Sequence, residues 1–198
     1  MEPVDRHSLD GIATLIIRRG KVNALNGPTV TSLRRAFEDA ERDQNTRAVI
    51  LTGAGKFFSF GFDVPELFAL TPEAFTSFVT GFTALYRYMF LFPKPILAAI
   101  NGHAVAGGCM LALACDYRLM TSDAGTIGLN EVSFGATVFA GSVEMLRFCV
   151  GSAAASEILL GGALYSAADA LRLGLVHEAV PGPALEASAG RIAARLAA

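Results

Sequence analysis

The chain has 198 residues, 53% of them hydrophobic and 17% charged, with a formal charge of −2 at pH 7. That length suits one domain around a large core, and the apolar balance excludes a disordered chain. The near-zero charge gives no long-range field for nucleic acid or an anionic membrane, so any anionic ligand must be held locally.

From Met1 to Asp10 the chain carries Glu2, Asp5 and Asp10 and no apolar stretch of the kind a secretory signal needs. Gly11 to Ile17 reads as a strand, β-prone at Ile12, Leu15, Ile16 and Ile17 and bounded by glycine. Lys21 to Asn26 is a loop. Gly27-Pro28 opens a helix, with proline suited to its first turn and Val30, Leu33, Phe37 and Ala40 at helical spacing. Arg47 to Thr52 is a short buried strand, so the order strand, helix, strand points to an α/β protein. Lys56 to Asp63 is a loop containing glycine and phenylalanine. Thr71-Pro72 starts a long helix that runs to about Phe92, where Pro93 and Pro95 stop it.

Ile96 to Ile100 reads as a buried strand and Asn101-Gly102 as a turn. Gly107-Gly108 leads into an apolar helix through Ala114. Asp116 to Met120 and Thr126 to Ile127 are strands, and Asn130-Glu131 lies in the next loop. Two or three alanine-rich helices follow, the short one capped by Ser166. Leu175 to Val180 is the last strand and Pro183 to Ala198 the last helix. Charge, glycine or proline interrupts every apolar run before the ~18 residues of a membrane span. No repeat or linker divides the chain, which reads as a single domain over residues 1–198.

Three places hold candidate chemistry. Gly107-Gly108 at a helix head is either a tight turn or a place where unpaired N–H groups meet a ligand oxygen. Phe58 to Asp63 is too apolar for an ordinary surface turn; it is either an apolar plug or a loop in which Gly61 aims the Phe62 N–H inward. Glu131, between Asn130 and Val132, is either a solvated loop charge or a partly buried base. Taken together they hold two backbone donors and one carboxylate. That is the minimum for removing a proton beside a thioester carbonyl and steadying the enolate.

At this point the sequence resembles a known family. The stretch from Pro93 to Asp116, with Asn101-Gly102-His103 and Gly107-Gly108-Cys109, resembles the signature of the enoyl-CoA hydratase/isomerase (crotonase) family. Phe58 to Asp63 is similar to that family's first oxyanion-hole loop, and Lys21 to Leu25 to its CoA-contacting loop. The likeness runs from about Ile12 to about Val180. It implies a ClpP/crotonase-like α/β spiral of ββα units assembled as a homotrimer or a pair of trimers. It also implies an acyl-coenzyme A thioester as substrate, with no further cofactor. The oxyanion donors would be the backbone N–H groups of Phe62 and Gly107. Lys21, Val22, Ala24, Phe60, Gly61 and Asp63 would clasp CoA, with Met110 and Asn130 beside the acyl group.

Hydratases of the family place two glutamates in the site. The first falls at position 110, where this chain has Met110. The second falls at about 130, where Asn130 stands and Glu131 follows. The run Ile127 to Val132 resembles instead the motif of mitochondrial-type Δ3,Δ2-enoyl-CoA isomerases, whose single glutamate base matches Glu131. A 1,3-proton shift needs only one base. The leading expectation is therefore an enoyl-CoA isomerase. A hydratase or another crotonase-type lyase is the second, and a non-catalytic acyl-CoA-binding protein the third. Two departures stand out. Phe60 replaces a usual alanine and narrows the thioester pocket, and the chain is C-terminally short of the helices that cover the acyl pocket in relatives.

The other polar residues read as structural. His103 is a hydrogen-bonded histidine, and His7 and His177 carry no role. Asp116 holds nearby backbone, and Asp63 caps the helix after Pro65. Arg18, Arg19, Lys21 and Lys56 either meet CoA phosphate or are solvated surface charges, the latter being their ordinary fate. Cys109, Cys115 and Cys149, odd in number and without metal-ligand spacing, read as reduced core thiols, hence a cytoplasmic setting. Cys109 has no histidine partner for covalent catalysis.

Overall fold

The computed structural model describes residues 2–198; Met1, the first residue of the stretch to Asp10 that reads as no secretory signal, lies outside them. The chain begins with strands β1 (Val4–Leu9) and β2 (Ile12–Ile17), then helix α1 (Gly27–Arg42). Next come β3 (Ala48–Gly53), β4 (Phe57–Ser59), α2 (Val64–Phe68) and α3 (Pro72–Phe90). β5 (Ile96–Ile100), β6 (His103–Val105) and α4 (Gly107–Leu113) follow, then β7 (Tyr117–Thr121) and β8 (Ile127–Gly128). A 3₁₀ turn (Glu131–Phe134), α5 (Ala140–Gly161), α6 (Ala167–Leu173), β9 (Glu178–Val180) and α7 (Leu185–Leu196) complete it.

Two sheets result. Six strands lie in the order β1-β2-β3-β5-β7-β9, and three in the order β4-β6-β8. All neighbours are parallel except β1 and β2, which form a hairpin. The pairs β3/β4, β5/β6 and β7/β8 each send one strand into the large sheet and the next into the small one, and helices follow each pair. That repetition is the ββα spiral of the crotonase fold.

Each corner between the sheets is held by glycine. A Cβ on Gly102 would stand 1.9 Å from the Lys56 carbonyl oxygen, and one on Gly53 2.1 Å from that of Phe57. Successive corners are cross-linked by Asn101, whose Oδ1 accepts from the Gly53 N–H at 3.1 Å and whose Nδ2 donates to the Gly55 carbonyl at 2.9 Å.

The fold departs from the sequence expectations mainly in short elements. β1 was not anticipated, although its turn residues Asp10 and Gly11 have φ of 51° and 81°, the two positive angles a tight hairpin needs. β4 lies inside what reads as a loop, and β6 follows what reads as a plain turn. Glu131 opens a 3₁₀ turn rather than sitting in an open loop. The final strand is confined to Glu178–Val180, and the final helix begins at Leu185. α5 is broken by a non-helical residue, Gly151 (φ 78°, ψ 164°), so its two helical stretches and α6 fill the segment where two or three helices were expected. Asp116 does hold backbone, accepting from the Ile96 N–H at 2.7 Å. His103 pairs with the Thr126 hydroxyl at 3.1 Å. Ser166 caps α6 as expected.

The core has two parts. The larger joins α1, α3, α4 and α5 to one face of the six-stranded sheet, with Phe37, Phe58 and Phe82 fully buried. The smaller lies between the sheet's other face and α7, where Ala48, Ile50, Leu97, Ala99 and Leu119 meet Leu185, Ala189, Ile192 and Ala193. No described helix is long and apolar enough to cross a membrane.

Candidate active site

The two loops expected to act together are zipped along their backbones. The Phe60 N–H donates to the Val22 carbonyl at 3.0 Å, and the Leu25 N–H to the Gly61 carbonyl at 2.7 Å. The Asp63 N–H donates to the Leu25 carbonyl at 2.9 Å, and the Ser59 hydroxyl to the Asn23 carbonyl at 2.8 Å. Backbone groups alternate in direction along an extended segment. With Gly61 and Asp63 bonded toward Leu25, the Phe62 N–H points to the opposite side. Among the described residues it has no hydrogen-bond acceptor, and neither has the Gly107 N–H at the first turn of α4.

These two backbones meet. A Cβ on Gly61, whose φ is +89°, would stand 3.1 Å from the Gly107 nitrogen, and one on Gly107 would stand 2.9 Å from the Phe62 ring. Only glycine at both positions lets the two segments approach so closely. Ala106, just before α4, has φ 50° and ψ −119°, a conformation that a side chain disfavours. The strain sits where the chain turns its first free N–H groups toward the cleft.

That cleft has a volume of about 1130 Å³. Lys21, Val22, Ala24, Phe60, Phe62, Asp63, Met110, Asn130 and Glu131 all line it; Gly61 and Gly107 are not among its lining residues, though their chain neighbours Phe60, Phe62 and Ala106 are. Nine expected site residues thus come together around one cleft.

β8 positions Glu131. It pairs with β6 on one side, while the Ile127 and Tyr165 backbones exchange bonds of 3.0 and 2.9 Å on the other. The 3₁₀ turn then carries the carboxylate inward, 5% exposed. Among the described residues its Oε2 has no hydrogen-bond partner, and neither has Oδ1 of Asn130. Burial pushes the Glu131 carboxyl above its ordinary pKa, opposed only by a bond from its own backbone N–H. The wet-loop reading of Glu131 is therefore wrong: this is a desolvated acid whose Oε2 has no partner among the described residues. Met110, buried to 1% exposure, lies one helical turn beyond Gly107 and completes an apolar wall. Cys109 is also buried, and the loss of solvation pushes its thiol well up, away from nucleophilic use.

Two expectations are corrected here. Asp63 caps α2, but that helix starts at Val64, so Pro65 lies inside its first turn. Arg19 is not a solvated surface charge. Its guanidinium contacts Asp63 and Glu66, each at 2.7 Å, and donates to the Ala24 carbonyl at 3.2 Å.

Sequence reasoning missed the far wall. Phe75 and Val79 of α3, with Phe134, Ala136, Thr137 and Phe139, close the cleft opposite the loops. Phe62 packs edge-to-face on Phe78 and Phe82, with centroids 5.0 and 4.7 Å apart. The signal was present in α3. Phe75, Phe78, Val79 and Phe82 make an apolar stripe wider than core packing alone requires. No group of three or more metal-ligating side chains occurs among the described residues.

The likeness to known proteins is extensive. The family described as Enoyl-CoA hydratase/isomerase matches residues 8–198. A putative enoyl-CoA hydratase of Thermus thermophilus is 42% identical over 168 residues, covering 83% of this chain and 66% of that protein. The mitochondrial enoyl-CoA delta isomerase 1 of Rattus norvegicus is 32% identical over 194 residues, 97% of this chain and 67% of that protein. The crystal structure of human mitochondrial Δ3,Δ2-enoyl-CoA isomerase superposes with a TM-score of 0.95 at 30% identity, over 98% of this chain and 76% of that one. The chain thus spans about two thirds of the length of these curated relatives. With the match covering almost every element around the cleft, the chain belongs to the enoyl-CoA hydratase/isomerase family of the crotonase superfamily.

Proposed function

We propose that this protein isomerises the double bond of an enoyl-CoA thioester. The single observation that carries the reading is Glu131, a buried carboxylate with an unpartnered Oε2, facing an apolar wall at Met110. The thioester oxygen lies between the Phe62 and Gly107 N–H groups, which stabilise the negative charge that grows there. Glu131 removes a proton from C2 of a 3-enoyl chain. The electrons spread over the thioester and the double bond as a dienolate, and the same carboxyl returns the proton at C4. The raised pKa suits this role, since the base must also be an effective acid in the second half.

CoA lies along Lys21, Val22 and Ala24 and along Phe60, Gly61 and Asp63, with the acyl group toward Met110, Asn130 and α3. The protein acts as a homotrimer in the cytoplasm with the thioester itself as its only organic partner. The apolar side chains exposed on α5 support association, and the unpaired cysteines support a reducing compartment.

A second reading, hydration, is favoured by one observation. The Asn130 Oδ1 is buried, unpartnered and beside Glu131, so it offers an acceptor for a water molecule. The test is to supply 3-enoyl-CoA to the purified protein and follow ultraviolet absorbance. Isomerisation creates a conjugated 2-enoyl thioester and absorbance rises. If the protein instead consumes added 2-enoyl-CoA with falling absorbance, hydration is the activity. Tight thioester binding without either change would mean a binding protein.

A further inference from the structure

The Arg19 guanidinium sits where β2 has just ended, and it reaches into the loop that carries Phe62. One nitrogen contacts Asp63 Oδ2 at 2.7 Å and also donates to the Ala24 carbonyl at 3.2 Å. The other contacts Glu66 Oε2 at 2.7 Å. Its own backbone N–H donates to Asn23 Oδ1 at 3.1 Å. Glu66 in turn accepts from Asn26 Nδ2 at 3.0 Å, and Asn26 Oδ1 caps α1 by accepting from the Thr29 N–H at 3.0 Å. Asp63 Oδ1 caps α2 by accepting from the Glu66 N–H at 3.2 Å. One arginine therefore ties the end of β2 and the heads of α1 and α2 into a single ionic and hydrogen-bonded knot.

We propose that Arg19 is a positioning residue that fixes the Phe62 N–H at its angle to the Gly107 N–H. The inference rests on the oxyanion reading given above. Asp63 is the residue directly after Phe62, so its carboxylate and the Phe62 amide move together. The Leu25 bonds hold the backbone of this loop; the planar, two-pronged guanidinium adds a hold on the Asp63 carboxylate and ties it to the Ala24 carbonyl of the neighbouring segment. The three charged side chains of the knot are all partly exposed, with Arg19 at 26%, Asp63 at 22% and Glu66 at 42% exposure. Pairs this wet add little to global stability. The knot's effect is then local, on the direction of one N–H, where a displacement near 1 Å costs about 10²-fold in rate.

The experiment reads the oxyanion hole without turnover. Saturated butyryl-CoA carrying a ¹³C label at its thioester carbonyl is bound to the protein, and the carbonyl stretch is recorded by difference infrared spectroscopy. In the unmodified protein the band moves to lower frequency, because two donors polarise the carbonyl. Arg19→Met is expected to lose at least half of that displacement and Arg19→Lys to recover part of it. In the 3-enoyl-CoA assay kcat of Arg19→Met falls roughly tenfold or more while KM changes far less. Asp63→Asn is the second variant: asparagine caps a helix as well as aspartate, so it removes the ion pair and leaves α2 intact. It should reproduce the Arg19→Met spectrum, and it decides the matter if Arg19→Met does not fold.

An unchanged band in both variants overturns the proposal. So does a raised KM with weakened binding of free CoA and an undiminished band, which would make Arg19 a phosphate contact. Absence of any displacement in the unmodified protein would remove the oxyanion reading itself, and the positioning role with it. Loss of turnover in Glu131→Gln with the band intact bears on the base alone.

Discussion

Glu131 is the side chain on which the proposed chemistry turns, and its setting makes two outcomes measurable. Glu131→Gln keeps size and shape but removes the proton acceptor, so isomerase turnover is expected to fall by about 10²–10⁴ in steady-state assays. Affinity for the CoA ester should change far less, because the donors and loops remain. Burial raises the pKa of this carboxyl, so the native state holds its proton to higher pH than the unfolded chain does. Stability then falls as pH rises from the ordinary carboxylate pKa through the raised one, and stays lowered above it. Glu131→Gln has no such titration. Its melting temperature should exceed that of the unmodified protein at neutral pH, and the two should converge in acid. Turnover runs the other way, rising with pH as the base ionises, with its acid limb above the usual carboxylate range. Glu131 was legible because it stands in a short motif with few other charges nearby. Arg19 was not, since an arginine in a polar loop reads as surface until Asp63 and Glu66, far along the chain, are brought to it.

At the level of elements, the proposed mechanism makes the head of α4 decide whether a charge can form on the substrate oxygen. Gly107→Pro removes one donor, yet it also adds a side chain against the Phe62 ring, which lies 2.9 Å from where a Cβ would stand. Gly107→Ala carries the same crowding and keeps the N–H. The proline variant is therefore expected to turn over roughly 10²–10³ more slowly than the alanine variant, and equal rates would remove Gly107 from the oxyanion hole. Long elements were readable for local reasons. α3 announces itself through Thr71-Pro72 and the terminating Pro93, and α1 through Gly27-Pro28, with its Asn26 cap seen only in the structure. β8 was readable, at Thr126 to Ile127, but β4 and β6 were not, because they have three residues each and exist only through partners 23 to 46 positions away. No periodicity fits in so few residues. The exception is β1, whose Asp10-Gly11 turn was a signal present and unused.

For the molecule as a whole, the exposed side chains matter as much as the cleft. Phe148 and Leu160 of α5 are each 80% exposed, and Val132 and Phe134 of the 3₁₀ turn are 50% and 56% exposed. Such exposed apolar side chains support the association proposed above. Sedimentation at micromolar concentration is expected to give three times the 20.8 kDa chain mass. A stable monomer would mean that these side chains do not assemble the protein.

The division of the core has a different consequence, one of abundance rather than chemistry. α7 and the sheet face beneath it share no side chain with the cleft, so damage there should leave each folded molecule as fast as before while reducing how many remain folded. Ile192, 2% exposed in that smaller core, is the place to see it. Ile192→Ala should cost about 2–5 kcal/mol of stability by chemical denaturation, with kcat per folded molecule unchanged. In a living cell such a change would be read as a quantity defect: less protein at steady state, continuously cleared from its unfolded fraction, and a pathway slowed without any change at its catalytic centre.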